Sequence, residues 1–140
     1  MKPVKLRGVH QVEITSRCNL RCHYCLHPKL ARERRVDMDV ATWQKALRWV
    51  RHFVARGTQR ELALTGLGEP TLHPAFVDMV AQARGVIGWG RPLTFSTNGI
   101  ALTDELCRAL APHKPTVYVS MHRPEKATLA AHRAEAAGRR

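Results

Sequence analysis

Four times along this chain a short run that alternates apolar and polar residues gives way to a stretch that reads as helix. Strand period followed by helix period, in strict succession, predicts a parallel sheet whose strands are joined by crossover helices. The first strand is expected over residues 9–15, with Val12 and Ile14 on one side and Glu13 and Thr15 on the other, and further strands over 61–65, 93–98 and 117–122. After the first, Val40, Trp43, Leu47, Val50 and Val54 recur at helical spacing, Asp39 is placed to cap the helix, and Gly57 follows its last turn. A second helix is expected to start at Pro74 and carry Phe76, Val77 and Val80 inward; a third is capped by Thr103 and places Leu106 one turn from Leu110. Residues 124–140 are Ala-rich and helical by propensity, with Leu129 as the one large apolar side chain. The fold class predicted is α/β: a partial (βα) barrel of about four parallel strand-helix units, in a single domain over residues 1–140. Val12, Ile14, Leu62, Leu64, Leu93, Phe95, Val117, Val119 and Met121 should pack under the helices. Glu13, Thr15, Thr65, Thr94, Ser96, Asn98, Tyr118, Ser120 and His122 should share a polar concave face, where a ligand site belongs at the carboxyl ends of the strands.

The loop after the first strand reads Cys18-Asn19-Leu20-Arg21-Cys22-His23-Tyr24-Cys25. The chain carries no signal-peptide pattern and no apolar segment that approaches a membrane span, so a cytoplasmic location and reduced thiols are expected. A short loop with this spacing can set three thiolates around one face of an iron-sulfur cube and leave the fourth iron open. Zinc, completed by His23 or His27, and a disulfide remain alternatives on spacing alone. Cys107 sits in the third helix and reads as a small buried hydrophobe, Trp43 and Trp49 as core, and His10, His27, His52, His73 and His113 as surface or loop residues.

Two further loops fall at predicted strand ends. Gly66-Leu67-Gly68-Glu69-Pro70 follows the second strand, where the glycines permit close approach of backbone to a ligand; Ser96-Thr97-Asn98-Gly99 closes the third. The cysteine spacing, with Tyr24 as the aromatic before the last cysteine, resembles the C-x3-C-x-aromatic-C signature of the radical SAM superfamily, and the Gly-Leu-Gly-Glu-Pro loop is similar to that family's GGEP motif with Leu inserted between the glycines. The resemblance implies that Cys18, Cys22 and Cys25 hold a [4Fe-4S] cluster and that Tyr24 lies against the adenine of S-adenosylmethionine. It also implies that Gly66, Gly68, Glu69 and Pro70 belong to the loop binding that cofactor's amino group, with Ser96, Asn98 and Ser120 as further cofactor contacts. The implied reaction is reductive cleavage of S-adenosylmethionine to a 5'-deoxyadenosyl radical that abstracts hydrogen from a substrate, as in the peptide- and cofactor-modifying branch. Activases of glycyl radical enzymes, and a non-catalytic cluster or zinc module, are the alternatives.

The family's usual core has about six βα units, so the chain is expected to be incomplete at its C-terminus, with a homodimer or a partner chain completing the barrel. A reductant such as flavodoxin or ferredoxin is the implied partner. Lys and Arg number 23 against 11 Asp and Glu, a formal charge of +12. The basic residues are spread along the chain without interleaved aromatics, so nucleic acid is not expected as a partner.

Overall fold

The computed structural model describes residues 6–22, 24–30 and 32–121. In chain order the elements are strand β1 (Gln11–Val12), helix α1 (Val40–Ala55), strand β2 (Leu62–Leu64), helix α2 (Phe76–Ile87), strand β3 (Leu93–Thr97), helix α3 (Asp104–Leu110) and strand β4 (Thr116–Val119). Short 3-10 turns lie at His27–Lys29, Arg32–Arg34, Pro70–Leu72 and Ala111–His113. All pairings within the four-stranded sheet are parallel and the strand order is β1-β2-β3-β4. Spatial order that repeats sequence order is the signature of successive βα units, and the sheet is that of a partial barrel.

Register puts Leu62 beside Leu93 and Leu64 beside Phe95. With Val12 and Ile14 these residues form an apolar sheet face, which Trp43, Leu47 and Val50 of α1 and Phe76, Met79, Val80 and Ala83 of α2 close over. Phe76 meets Phe95 edge to face with ring centroids 5.0 Å apart, a favoured aromatic geometry. The helix ends follow their sequence signals. Asp39 accepts the Thr42 N–H at 2.7 Å and Thr103 accepts that of Leu106 at 3.1 Å, while Gly57 supplies the positive φ of 68° that releases the chain after α1. Buried Arg84 ties the end of α2 to the approach of β4 by donating to the carbonyls of His113 and Lys114.

Several expectations are corrected. β1 is far shorter than residues 9–15 because the backbone beyond it pairs elsewhere: Met38 N–H donates to Ile14 O at 2.8 Å and Ser16 N–H to Val36 O at 2.9 Å. Thr15 consequently leaves the polar concave face and is buried against Asp37. α2 starts at Phe76 rather than Pro74, since His73 accepts the Ala75 N–H on Nδ1 at 3.0 Å and holds the preceding residues in a non-helical turn. Val117, Val119 and Met121 do not pack under helices but are 37%, 40% and 40% exposed, no described residue covering that part of the sheet. Val40 and Trp49 face outward, Trp49 stacking on Phe53. Cys107 is exposed, whereas His27 and His73 are buried. The strand expected over 117–122 ends at Val119, and the helix expected over 124–140, like His122, lies outside the described residues.

Candidate metal and cofactor site

Loops at the carboxyl ends of the strands surround a cavity of about 160 Å³. The loop after β1 brings Cys18, Cys22, Tyr24 and Cys25 to its wall, the loop after β2 brings Gly66, Gly68 and Glu69, the end of β3 brings Ser96 and Asn98, and the end of β4 brings Ser120. Pro70 is not on the wall; it is buried at the start of the Pro70–Leu72 turn and shapes the loop from behind. The wall also includes Thr65, which the sequence reading placed on the polar concave face, and Leu20, Leu67 and Thr97, which it did not single out. Thr97 follows Ser96 in the recognisable Ser-Thr-Asn-Gly turn, but strand alternation assigned it to the opposite face from Ser96 and Asn98.

The cysteine loop is anchored at its root. Arg17, next to Cys18, donates from Nε to Asp37 Oδ1 at 2.9 Å, pairs through Nη2 with Asp37 Oδ2 at 2.8 Å and reaches the Leu72 carbonyl at 2.7 Å. Thr15 Oγ1 donates to the same Asp37 carboxylate at 2.6 Å. Burial opposes ionisation of Asp37, yet the Thr15 and Arg17 hydrogen bonds and the Arg17 charge hold its carboxyl below the ordinary value.

Cys18, Cys22 and Cys25 are all free thiols. Backbone N–H groups point at two of the sulfurs, Leu20 to Cys18 at 3.4 Å and His27 to Cys25 at 3.3 Å. Asn98 adds a side-chain donor from β3. Its Oδ1 accepts the Ile100 N–H at 3.0 Å, which turns Nδ2 toward Asn19 Oδ1 at 2.8 Å and Cys18 Sγ at 3.9 Å. Burial pushes the Cys18 thiol up, and negative charge on Glu69, Cys22 and Cys25 acts the same way against the Leu20 N–H. The Tyr24 phenol is pushed up to about 12, first by desolvation and then by its contact with Cys22, so it remains neutral at physiological pH.

Glu69 lines the cavity wall and is also bonded within the chain. Its carboxylate does not stand free at the wall: Oε1 accepts from Thr71 N–H at 3.2 Å, Thr71 Oγ1 at 2.6 Å and Thr97 Oγ1 at 2.7 Å, and Oε2 accepts the Asn98 N–H at 2.7 Å. Its own N–H donates to Arg17 O at 2.7 Å. Glu69 therefore joins the loops after β1 and β2 to the end of β3.

The donor set suits an iron-sulfur cluster. Three soft thiols border one cavity, and N–H groups directed at cysteine sulfur are what such clusters use to stabilise thiolate charge. A zinc site would need a fourth protein donor beside the three thiols, and no described histidine lines the cavity wall. His27, a candidate fourth zinc ligand, is buried off the cavity wall. Among the described residues no helix is long and apolar enough to cross a membrane.

Residues 12–138 match the family model of the Radical SAM superfamily. Over 100 residues the chain is 43% identical to the tungsten-containing aldehyde ferredoxin oxidoreductase cofactor-modifying protein of Pyrococcus furiosus, an alignment covering 71% of this chain and 26% of that protein. It is 40% identical over 92 residues to molybdenum cofactor biosynthesis protein 1 of Bos taurus, with 66% and 14% covered. It is 33% identical over 94 residues to GTP 3',8-cyclase of Geobacter sulfurreducens, with 67% and 28% covered. The crystal structure of BtrN in complex with AdoMet and 2-DOIA superposes with a TM-score of 0.71 at 24% identity, covering 84% of this chain and 47% of that one, a likeness of fold. The chain thus spans less than a third of these curated relatives' length.

Proposed function

The chain belongs to the radical SAM superfamily, enzymes that use a [4Fe-4S] cluster and S-adenosylmethionine, and from that premise we propose that its cysteine loop holds such a cluster for reductive cleavage of S-adenosylmethionine. The supporting observation is that Cys18, Cys22 and Cys25 border the same cavity as the Gly66–Gly68 stretch and the end of β3. Cys18, Cys22 and Cys25 are the ligands; Tyr24, neutral and half exposed beside them, offers a flat surface for the adenine. The bound group supplies one-electron reduction of a sulfonium centre. The chain's own contribution is positional. The Arg17–Asp37 pair fixes the root of the cysteine loop, Glu69 holds that loop to β3, and Ser96 and Ser120 line the cavity wall.

Relatives named as a cofactor-modifying protein and as molybdenum cofactor biosynthesis protein 1 direct the substrate proposal to a cofactor precursor. An electron carrier of the flavodoxin or ferredoxin class is the proposed reductant, and a reducing compartment such as the cytoplasm the proposed location. Exposed Val117, Tyr118 and Val119 leave room for a second chain beside β4, in keeping with a dimer or a partner that extends the sheet.

The test is anaerobic reconstitution with iron and sulfide, measurement of iron per chain, then reduction with dithionite in S-adenosylmethionine and chromatography for 5'-deoxyadenosine. Iron should bind and 5'-deoxyadenosine should form. Cys18→Ala, Cys22→Ala or Cys25→Ala should each abolish the iron, and Cys107→Ala, exposed on α3, should leave it intact. Full iron after any of the three loop replacements would refute the ligand assignment.

A further inference from the structure

Glu13 follows β1 on the polar side of the sheet and is absent from the wall of the cavity, although the loop it touches forms part of that wall. Its carboxylate crosses to the loop after β2, where Oε1 accepts the Leu67 N–H at 2.5 Å and the Gly68 N–H at 3.1 Å. Consecutive backbone N–H groups converging on one oxygen make an anion-binding concavity, and here the chain fills it with its own side chain. The packing is close enough to dictate sequence. A Cβ on Gly66 would overlap the Glu13 carboxylate, and one on Gly68 would overlap the Thr15 carbonyl oxygen. Gly68 is thus required by the backbone behind the loop, and Gly66 by the placement of the Glu13 side chain there.

In a planar trans peptide the C=O points opposite to the N–H. The two peptides whose N–H groups face Glu13 therefore turn the carbonyls of Gly66 and Leu67 away from it, and both residues border the cavity. Carbonyl oxygens presented in this way suit a cationic ammonium group. We infer that Glu13 is a positioning residue: by occupying the two N–H groups it holds the Gly66–Gly68 loop in the conformation that accepts the ammonium end of S-adenosylmethionine. This rests on the reading that the cavity binds S-adenosylmethionine.

Two measurements on wild type, Glu13→Ala and Glu13→Gln test it. The first is amide hydrogen exchange on the cluster-free chain. Protection of Leu67 and Gly68 should fall about tenfold or more in Glu13→Ala, the effect of losing hydrogen bonds to a charged acceptor, while Leu62 and Phe95 in the core remain protected. The second is equilibrium binding of S-adenosylmethionine to the cluster-loaded chain, where affinity should fall about tenfold in Glu13→Ala with iron content unchanged. Glu13→Gln keeps an oxygen acceptor and should restore most of both. Unchanged protection or unchanged affinity in Glu13→Ala overturns the inference. Glu13→Gln as weak as Glu13→Ala also overturns it, because charge rather than loop geometry would then be responsible. A wild-type chain that loads its cluster yet binds no S-adenosylmethionine overturns the functional reading instead, and hydrogen exchange then decides by itself whether Glu13 holds the loop.

Discussion

Replacing Glu69 by Ala should destabilise the chain by about 2–4 kcal/mol. Four donors lose their acceptor: the N–H and hydroxyl of Thr71, the hydroxyl of Thr97 and the N–H of Asn98. The hydroxyls can rotate to other acceptors, and the half-buried Thr71 N–H can take water. The Asn98 N–H cannot, since Asn98 is 8% exposed and its backbone is fixed at the end of β3. Leaving one such donor unpaired costs about 1–3 kcal/mol, and the void left by a buried side chain adds roughly 1 kcal/mol more. Relief from burying a charge offsets part of this. Glu69→Gln keeps an oxygen for the Oε1 partners but turns an amide N–H2 toward the Asn98 N–H, so it should lose about half as much. Urea unfolding followed by far-UV circular dichroism measures both variants. Because the Glu69 carboxylate holds the Asn98 N–H and Asn98 Nδ2 in turn reaches Asn19 in the cysteine loop, iron loading and cofactor affinity should fall together in Glu69→Ala, although the backbone bond to Arg17 O remains. A stability loss below about 1 kcal/mol, or Glu69→Gln no better than Glu69→Ala, would refute the reasoning.

Two other perturbations address the cysteine loop. Asn98→Ala removes the side-chain N–H directed at Cys18 Sγ; a hydrogen bond to thiolate favours the more negative reduced cluster, so the potential should drop. A bond worth about 0.5–1 kcal/mol corresponds to about 20–40 mV for one electron, and dye-coupled titration of the loaded chain showing no drop would contradict the assignment. Asp37, held below its ordinary value of 3.8 by Thr15 and Arg17, favours the folded state above that value and loses this contribution as pH falls through its lowered folded pKa. Thermal melts from pH 5 down to about 2 should therefore show a decline that is shallower in Asp37→Asn; equal slopes would exclude Asp37 as an acid-sensitive anchor.

Much of the fold was legible before any coordinates. The alternation of strand and helix periods specified α/β and parallel strands, Asp39 and Thr103 marked helix starts, and the Cys18, Cys22 and Cys25 triplet fell in the loop after the first strand. These signals are local, each set by residues within a turn or a pleat of one another, so they survive reading in one dimension. The grouping of the loops at strand ends followed from topology, since parallel βα units bring the carboxyl ends of their strands to one side.

Contacts between distant segments were decided by tertiary structure alone. Residues 14–16 pair with 36–38 instead of extending β1, which buries Thr15. Trp49 and Cys107 are exposed while His27 and His73 are buried, because a face's exposure depends on which neighbour arrives rather than on residue type. Glu69 finds Thr97 and Asn98 at sequence separations of 28 and 29, and Glu13 finds Leu67 and Gly68 at 54 and 55. A carboxylate in a sequence declares only that it can accept hydrogen bonds; which donors it accepts from is set when packing brings separate loops within about 3 Å.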